Sequence, residues 1–160
     1  MIQPVSENEV LIEREFDAPR ELLFKVWTDP FHLARWWTPF GFTAHVLKME
    51  VREGGAFHIE LQTPDGQRVP ARGIYKKIIP PEKIIMLGPD QSPDACGAGI
   101  PPNAMVTITF NESGGKTTLR LHTLFNASAE KLAAAEAGYY EGWGSALAAL
   151  QTYLSTMEES

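Results

Sequence analysis

Few residues in this chain could do chemistry, and their spacing supports little of it. The four histidines, His32, His45, His58 and His122, show neither the i, i+4 helical spacing of a zinc protease nor a neighbouring cysteine cluster, so no metal site is expected. Cys96 is the sole cysteine. Its loop, Asp94-Ala95-Cys96-Gly97, supplies an acidic neighbour where an activated thiolate needs positive charge, and it reads as an incidental exposed thiol. Gly142-Trp143-Gly144-Ser145 places its serine outside the two glycines and within a helix, which is not a nucleophile elbow. Gly115-Lys116-Thr117 lacks both the upstream glycine near Phe110-Asn111 and the following helix of a phosphate-binding loop, and reads as a hairpin turn. Glu136 lies beside the apolar stripe of the last helix, one turn before Tyr139 and Tyr140. It is either a partly buried carboxylate or a side chain that snorkels to solvent. Paired with a tyrosine it would supply the acid and base of a cyclase or hydrolase, but sequence fixes no such distance, and no catalytic residue is assigned.

The aromatic residues carry more information. Trp36, Trp37, Phe40, Phe42, Phe57, Tyr75, Tyr139 and Trp143 are expected to gather where short helices, a sheet and the last helix meet. Such a cluster is either a core rich in large rings or the wall of a small-molecule pocket, which is mostly apolar with a few polar groups. If it is a pocket, Trp37, Phe57, Tyr75, Tyr139 and Trp143 are the candidate lining residues.

The elements that would position them follow from periodicity. Asn8 to Phe16 alternates as a strand and leads into Asp17-Ala18-Pro19, where Asp17 can cap a helix and Pro19 suits its first turn. Leu22, Leu23, Val26 and Trp27 recur at helical spacing, and Asp29-Pro30 restarts the chain into a second short turn carrying Leu33, Trp36 and Trp37. From Phe42 onward the period changes to two. Strands are expected near Phe42–Val51, Ala56–Thr63, Arg68–Ile79, Lys83–Gly88, Ala104–Asn111 and Lys116–Phe125, separated by the turns Glu53-Gly54-Gly55, Pro64-Asp65-Gly66, Pro80-Pro81-Glu82 and Ser113-Gly114-Gly115. The alternation puts Phe57, Ile59, Leu61, Val106, Ile108, Phe110, Leu119, Leu121 and Phe125 on a buried face. His58, Glu60, Thr107, Thr109, Arg120 and His122 fall on a wet one.

Pro89 to Asn103 breaks this rhythm and reads as a loop. Ser128 then caps a helix to about Leu154, with Leu132, Tyr139, Trp143, Leu147, Leu150 and Leu154 along one stripe. Gly138, Gly142 and Gly144 each cost about 1 kcal/mol there relative to alanine. Close packing around Trp143 would offset that cost, as would a bend that makes room for a ligand. Residues 155–160 read as a frayed acidic tail.

Composition bounds the partners. A chain of 160 residues with 44% hydrophobic and 21% charged residues is ordinary for one globular domain, here 1–160 with a core of about 9–154. A net charge of −6 with scattered Lys and Arg would repel a phosphate backbone, so nucleic acid is not an expected partner. Met1 to Glu9 lacks the pattern of a secretory signal, and no apolar run approaches the ~20 residues of a membrane span. A cytoplasmic α+β domain with no membrane partner is the expectation.

The order of strand, two short helices, antiparallel strands and closing helix matches the helix-grip fold. Local motifs sharpen the likeness: Phe16-Asp17-Ala18-Pro19-Arg20-Glu21, Val26-Trp27-Thr28-Asp29-Pro30 with Leu33 and Trp36-Trp37, Gly41-Phe42, Val51-Arg52-Glu53-Gly54-Gly55, Pro64-Asp65-Gly66, Gly73, Pro80-Pro81-Glu82, and Gly142-Trp143 with Leu147, Leu150 and Leu154. Together they closely resemble the bacterial family named after the activator of the heat-shock-protein-ninety ATPase, within the superfamily of START and birch-pollen-allergen-like proteins (SRPBCC). The resemblance implies a curved antiparallel sheet of about six to seven strands wrapped on a long C-terminal helix. It implies a small apolar or aromatic ligand held between sheet and helix, with no cofactor. Its alternatives are a co-chaperone that stimulates a chaperone ATPase in stress response, or a cyclase or hydrolase.

Overall fold

The alternating segments of the sequence build one antiparallel sheet. A computed structural model describes residues 2–6, 9–38, 41–88, 104–125 and 139–158, with residues 2–6, 69, 139, 157 and 158 described by their backbone alone. The elements are β1 (Ile2–Ser6), β2 (Glu9–Phe16), α1 (Arg20–Thr28), α2 (Pro30–Trp36), β3 (Thr43–Met49), β4 (Ala56–Gln62), β5 (Arg68–Ile79), β6 (Lys83–Leu87), β7 (Met105–Ser113), β8 (Lys116–Leu124) and α3 (Tyr139–Glu158). The eight strands run β1-β2-β8-β7-β6-β5-β4-β3 across the curved sheet. The chain therefore enters at the β1 edge, passes from β2 through α1 and α2 to the opposite edge, and meanders back until β8 lies beside β2. This is the expected α+β helix-grip architecture. The seven expected strands are all present, and an eighth is added at the edge by β1.

Sequence reasoning did not assign β1, because Ile2–Ser6 is short and contains Pro4. A proline cannot donate to a ladder and is confined to sheet edges, which is where β1 lies, paired to β2 with Pro4 opposite Val10.

Register follows the alternation. Phe57 pairs with Gly73, Ile59 with Ala71 and Leu61 with Val69; Ile108 lies between Ile84 and Leu121. Phe57, Ile59, Leu61, Val106, Ile108, Phe110, Leu119, Leu121 and Phe125 are all buried in one core with Trp143, Ala146, Leu147, Leu150 and Leu154 of α3. Each such large side chain contributes about 1.5–3 kcal/mol by leaving water. The outer face is less uniformly wet than alternation suggests. Glu9, Leu124, Met105, Leu87, Ile74 and Ala56 lie in register across β2, β8, β7, β6, β5 and β4. In this row Leu124, Met105 and Leu87 shield one another to half-burial, while Ile74 stays 41% exposed.

The short helices are set by their ends. Asp29 accepts a hydrogen bond from the Phe31 N–H at 2.8 Å and Pro30 takes the first helical position, so α2 begins where Asp-Pro was expected to restart the chain. Helix α1 departs from expectation. Pro19 is its N-cap and no side chain of its own cap accepts a bond; instead Glu112, from β7, accepts from the Arg20 N–H at 2.9 Å. Asp17 therefore does not cap α1, and a carboxylate distant in sequence satisfies one of its leading donors. At the other terminus α3 remains helical to Glu158, four residues beyond Leu154, so the segment expected to fray is in part regular helix. The start of that helix near Ser128, with Leu132, Glu136 and Gly138, and the loop Pro89–Asn103 with Cys96, lie outside the described residues.

Two glycines have opposite roles. Gly73 faces the core beneath Phe57, and a β-carbon there would lie 2.4 Å from the Leu87 carbonyl oxygen and 2.7 Å from Phe57 Cζ. Among the described residues nothing lies within 4 Å of where a β-carbon on Gly144, in α3, would go. Close packing therefore does not account for the glycine after Trp143. Urea unfolding monitored by circular dichroism should show Gly73→Ala less stable by about 1–3 kcal/mol, since overpacking forces the Phe57 ring or the β6 backbone aside. The same measurement on Gly144→Ala should show a gain of about 0.5–1 kcal/mol from helix propensity alone. A loss at Gly144 would show that its space is needed.

Candidate ligand-binding site

All four tryptophans of the chain meet on the inner side of the sheet. Trp27 comes from α1, Trp36 from the end of α2, Trp37 from its C-cap and Trp143 from α3. Their spacing in sequence makes this possible. Trp27 lies one turn beyond Leu23 on the buried face of α1, and the Asp29-Pro30 restart brings Trp36 back beneath it with ring centroids 4.6 Å apart. Trp27 and Trp143 are nearly parallel, 6.0 Å apart with a 13° angle between planes. Trp37 lies 5.3 Å from Trp143 and 6.2 Å from Trp36. Phe110, on the central strand β7, closes the cluster 6.3 Å from Trp27 and 5.9 Å from Phe24. Offset and tilted pairs of this kind add to the energy of burial, because the ring quadrupoles favour them over face-to-face sandwiches.

Of the residues assigned to the lining from sequence, the structure brings Trp37 and Trp143 together here. Phe57 and Tyr75 form a second pair, 5.2 Å apart on neighbouring strands β4 and β5. The four side chains are buried, none more than 3% exposed. Tyr139 opens α3, but its side chain lies outside the described residues, as does Glu136. Trp27 was read from sequence only as a helix core position. The signal available was its type: an indole carries an N–H that needs an acceptor when buried.

That need divides the four rings. Trp36 Nε1 donates to the Val26 carbonyl oxygen at 2.8 Å, a group left open at the C-terminal end of α1. Trp27 Nε1 and Trp143 Nε1 are buried and have no acceptor among the described residues. Leaving a buried donor unsatisfied costs about 1–3 kcal/mol, so two of them in one cluster require an explanation. Tyr75 adds a polar group nearby in the same core. Burial alone pushes its phenol well above the ordinary value, so it stays protonated and neutral.

Charge is missing from this interior among the described residues. Among the described residues the only buried polar side chains outside the aromatic ones are Thr117 and Thr123, and Thr117 Oγ1 donates to the Ala18 carbonyl oxygen at 2.7 Å. No described carboxylate, histidine, lysine or arginine is fully buried. The inward position of Arg14 on β2 is handled at the rim, where its guanidinium donates to Gln151 Oε1 of α3 at 2.6 and 3.1 Å. His32 and Tyr153 meet at 2.6 Å and join α2 to α3 at the same rim. On the outer face His122 lies 3.0 Å from Glu9 and His45 3.2 Å from Gln62. Among the described residues no three His, Cys, Asp or Glu side chains converge as a metal site would require. No described helix is long and apolar enough to cross a membrane.

The same architecture recurs in solved structures. Protein Ms6760 of Mycobacterium smegmatis superposes with a TM-score of 0.81 at 21% identity, covering 98% of this chain and 99% of its own. A protein from Rhodobacter sphaeroides gives 0.83 at 20% identity, with coverage of 98% and 97%. An AHSA1-like protein from Aeromonas hydrophila gives 0.63 at 16% identity, with coverage of 89% and 93%. At these identities the likeness is one of fold. No curated protein matches the chain. The family model described as "Activator of Hsp90 ATPase homolog 1-like protein" matches residues 17–155, from the turn before α1 to the last turns of α3, and the chain belongs to that family.

Proposed function

We propose that this protein binds a small apolar or aromatic ligand between the sheet and α3, with Trp37, Phe57, Tyr75, Tyr139 and Trp143 as its lining. The observation that carries the reading is the convergence of three separate elements, α1, α2 and α3, on one group of indoles that the sheet encloses. Small-molecule sites are built from such rings with a few polar groups. The described interior has no ionisable pair that would support acid–base chemistry, so binding is favoured over turnover. The family description carries a second reading, a chaperone partner whose ATPase this chain stimulates through its surface.

Two measurements test these readings. Titration with the neutral fluorophore N-phenyl-1-naphthylamine should quench tryptophan emission saturably at one probe per chain. Trp37→Phe and Phe57→Leu should each weaken that binding by about three- to tenfold while retaining cooperative unfolding. Quenching that rises linearly without saturation overturns the ligand reading. For the second, purified Hsp90 should hydrolyse ATP faster when this protein is added without any small molecule, and an unchanged rate removes the chaperone partner.

A further inference from the structure

The indole N–H groups of Trp27 and Trp143 find no acceptor among the described residues, and we propose that they are the polar contacts of the binding site: its ligand is a flat, uncharged aromatic molecule carrying a hydrogen-bond acceptor such as a ketone oxygen. This rests on the binding reading above and narrows it to one chemical class. An indole can only donate. What the pair lacks is therefore an acceptor, which a hydrocarbon or an alkyl chain cannot provide.

Three observations decide the rest. The two rings lie within 13° of parallel with centroids 6.0 Å apart, and both are at most 3% exposed, so their N–H bonds lie in nearly parallel planes inside one dry cluster. Trp36, in contact with Trp27, is already satisfied by Val26 and serves as the built-in contrast. The described core holds no buried lysine, arginine or histidine. A carboxylate or phosphate brought there would leave water without a counter-charge, which is far costlier than bringing in a neutral carbonyl. With two unpartnered indole donors and no buried charge among the described residues, a neutral acceptor on an aromatic frame is the complement.

A matched pair of probes isolates the acceptor. The full chain, labelled with nitrogen-15, is titrated with 9-fluorenone and with fluorene, which share one flat frame and differ in a carbonyl against a methylene. Fluorenone should bind at least about tenfold more tightly by tryptophan quenching, the discrimination expected when a site built to hydrogen-bond meets an analogue lacking the group. Its binding should move the Trp27 and Trp143 indole N–H resonances downfield and leave that of Trp36 in place. Equal affinity for the two probes, or tight fluorenone binding with both resonances unmoved, overturns the acceptor inference while ligand binding stands. Failure of both probes to bind overturns the acceptor inference and the binding reading together.

Discussion

The near-parallel contact between Trp27 and Trp143 is what the rest of the structure depends on. Helices α1 and α2 are short, and isolated helices of such length are not stable in water. They persist because each contributes an indole to the cluster that α3 completes, and because Trp36 ties back to the end of α1 through Val26. Helix α1 also rests on the sheet, with Phe24 and Trp27 against Phe110 of β7, beside the part of the inner face that Leu147, Leu150 and Leu154 cover. Fold and candidate site are thus made of the same rings. A change to any of them alters the packing of the helices and the polarity of the interior together.

A second constraint operates on the sheet. Phe57 occupies the space above Gly73 on the adjoining strand, so the large ring is accommodated by a missing side chain, and Tyr75 packs beside it two residues further along. Polar groups are kept to the rim. Arg14 reaches Gln151, His32 reaches Tyr153, and Glu13 and Glu9 pair with Arg120 and His122 on the outer face at 2.6 and 3.0 Å. These half-exposed pairs add little stability each, but they mark where the helix layer ends and water begins.

Much of the fold was legible in the sequence, because period-two alternation and glycine turns report local geometry. Gly114 and Gly115 both have positive φ in the two-residue turn that pairs Ser113 with Lys116, the conformation that Ser-Gly-Gly predicted. The order of the elements followed from the same periodicity and turns, and the family motifs matched it. What could not be read depends on partners remote in the chain. Glu112 caps α1 across more than ninety residues, and no local pattern signals that. The edge strand β1 was hidden by Pro4. Within the site, aromatic type and helical spacing placed Trp37 and Trp143 in one cluster. That the N–H groups of Trp27 and Trp143 find no acceptor among the described residues emerges only from their folded arrangement.

The strand order also bears on how the protein is made. β2 leaves the ribosome early, yet its pairing partner β8 lies more than a hundred residues later, with Glu9 opposite Leu124. The meander from β3 to β8 can zip up strand by strand as it emerges, since each strand pairs with the one before it. β2, with Val10, Ile12 and Phe16 on one face, must wait with that apolar face unprotected until translation has passed β8. Non-local pairing of this kind slows folding and leaves nascent chains open to aggregation. Synthesis is therefore the stage at which this domain is most vulnerable, and β2 is the part then exposed.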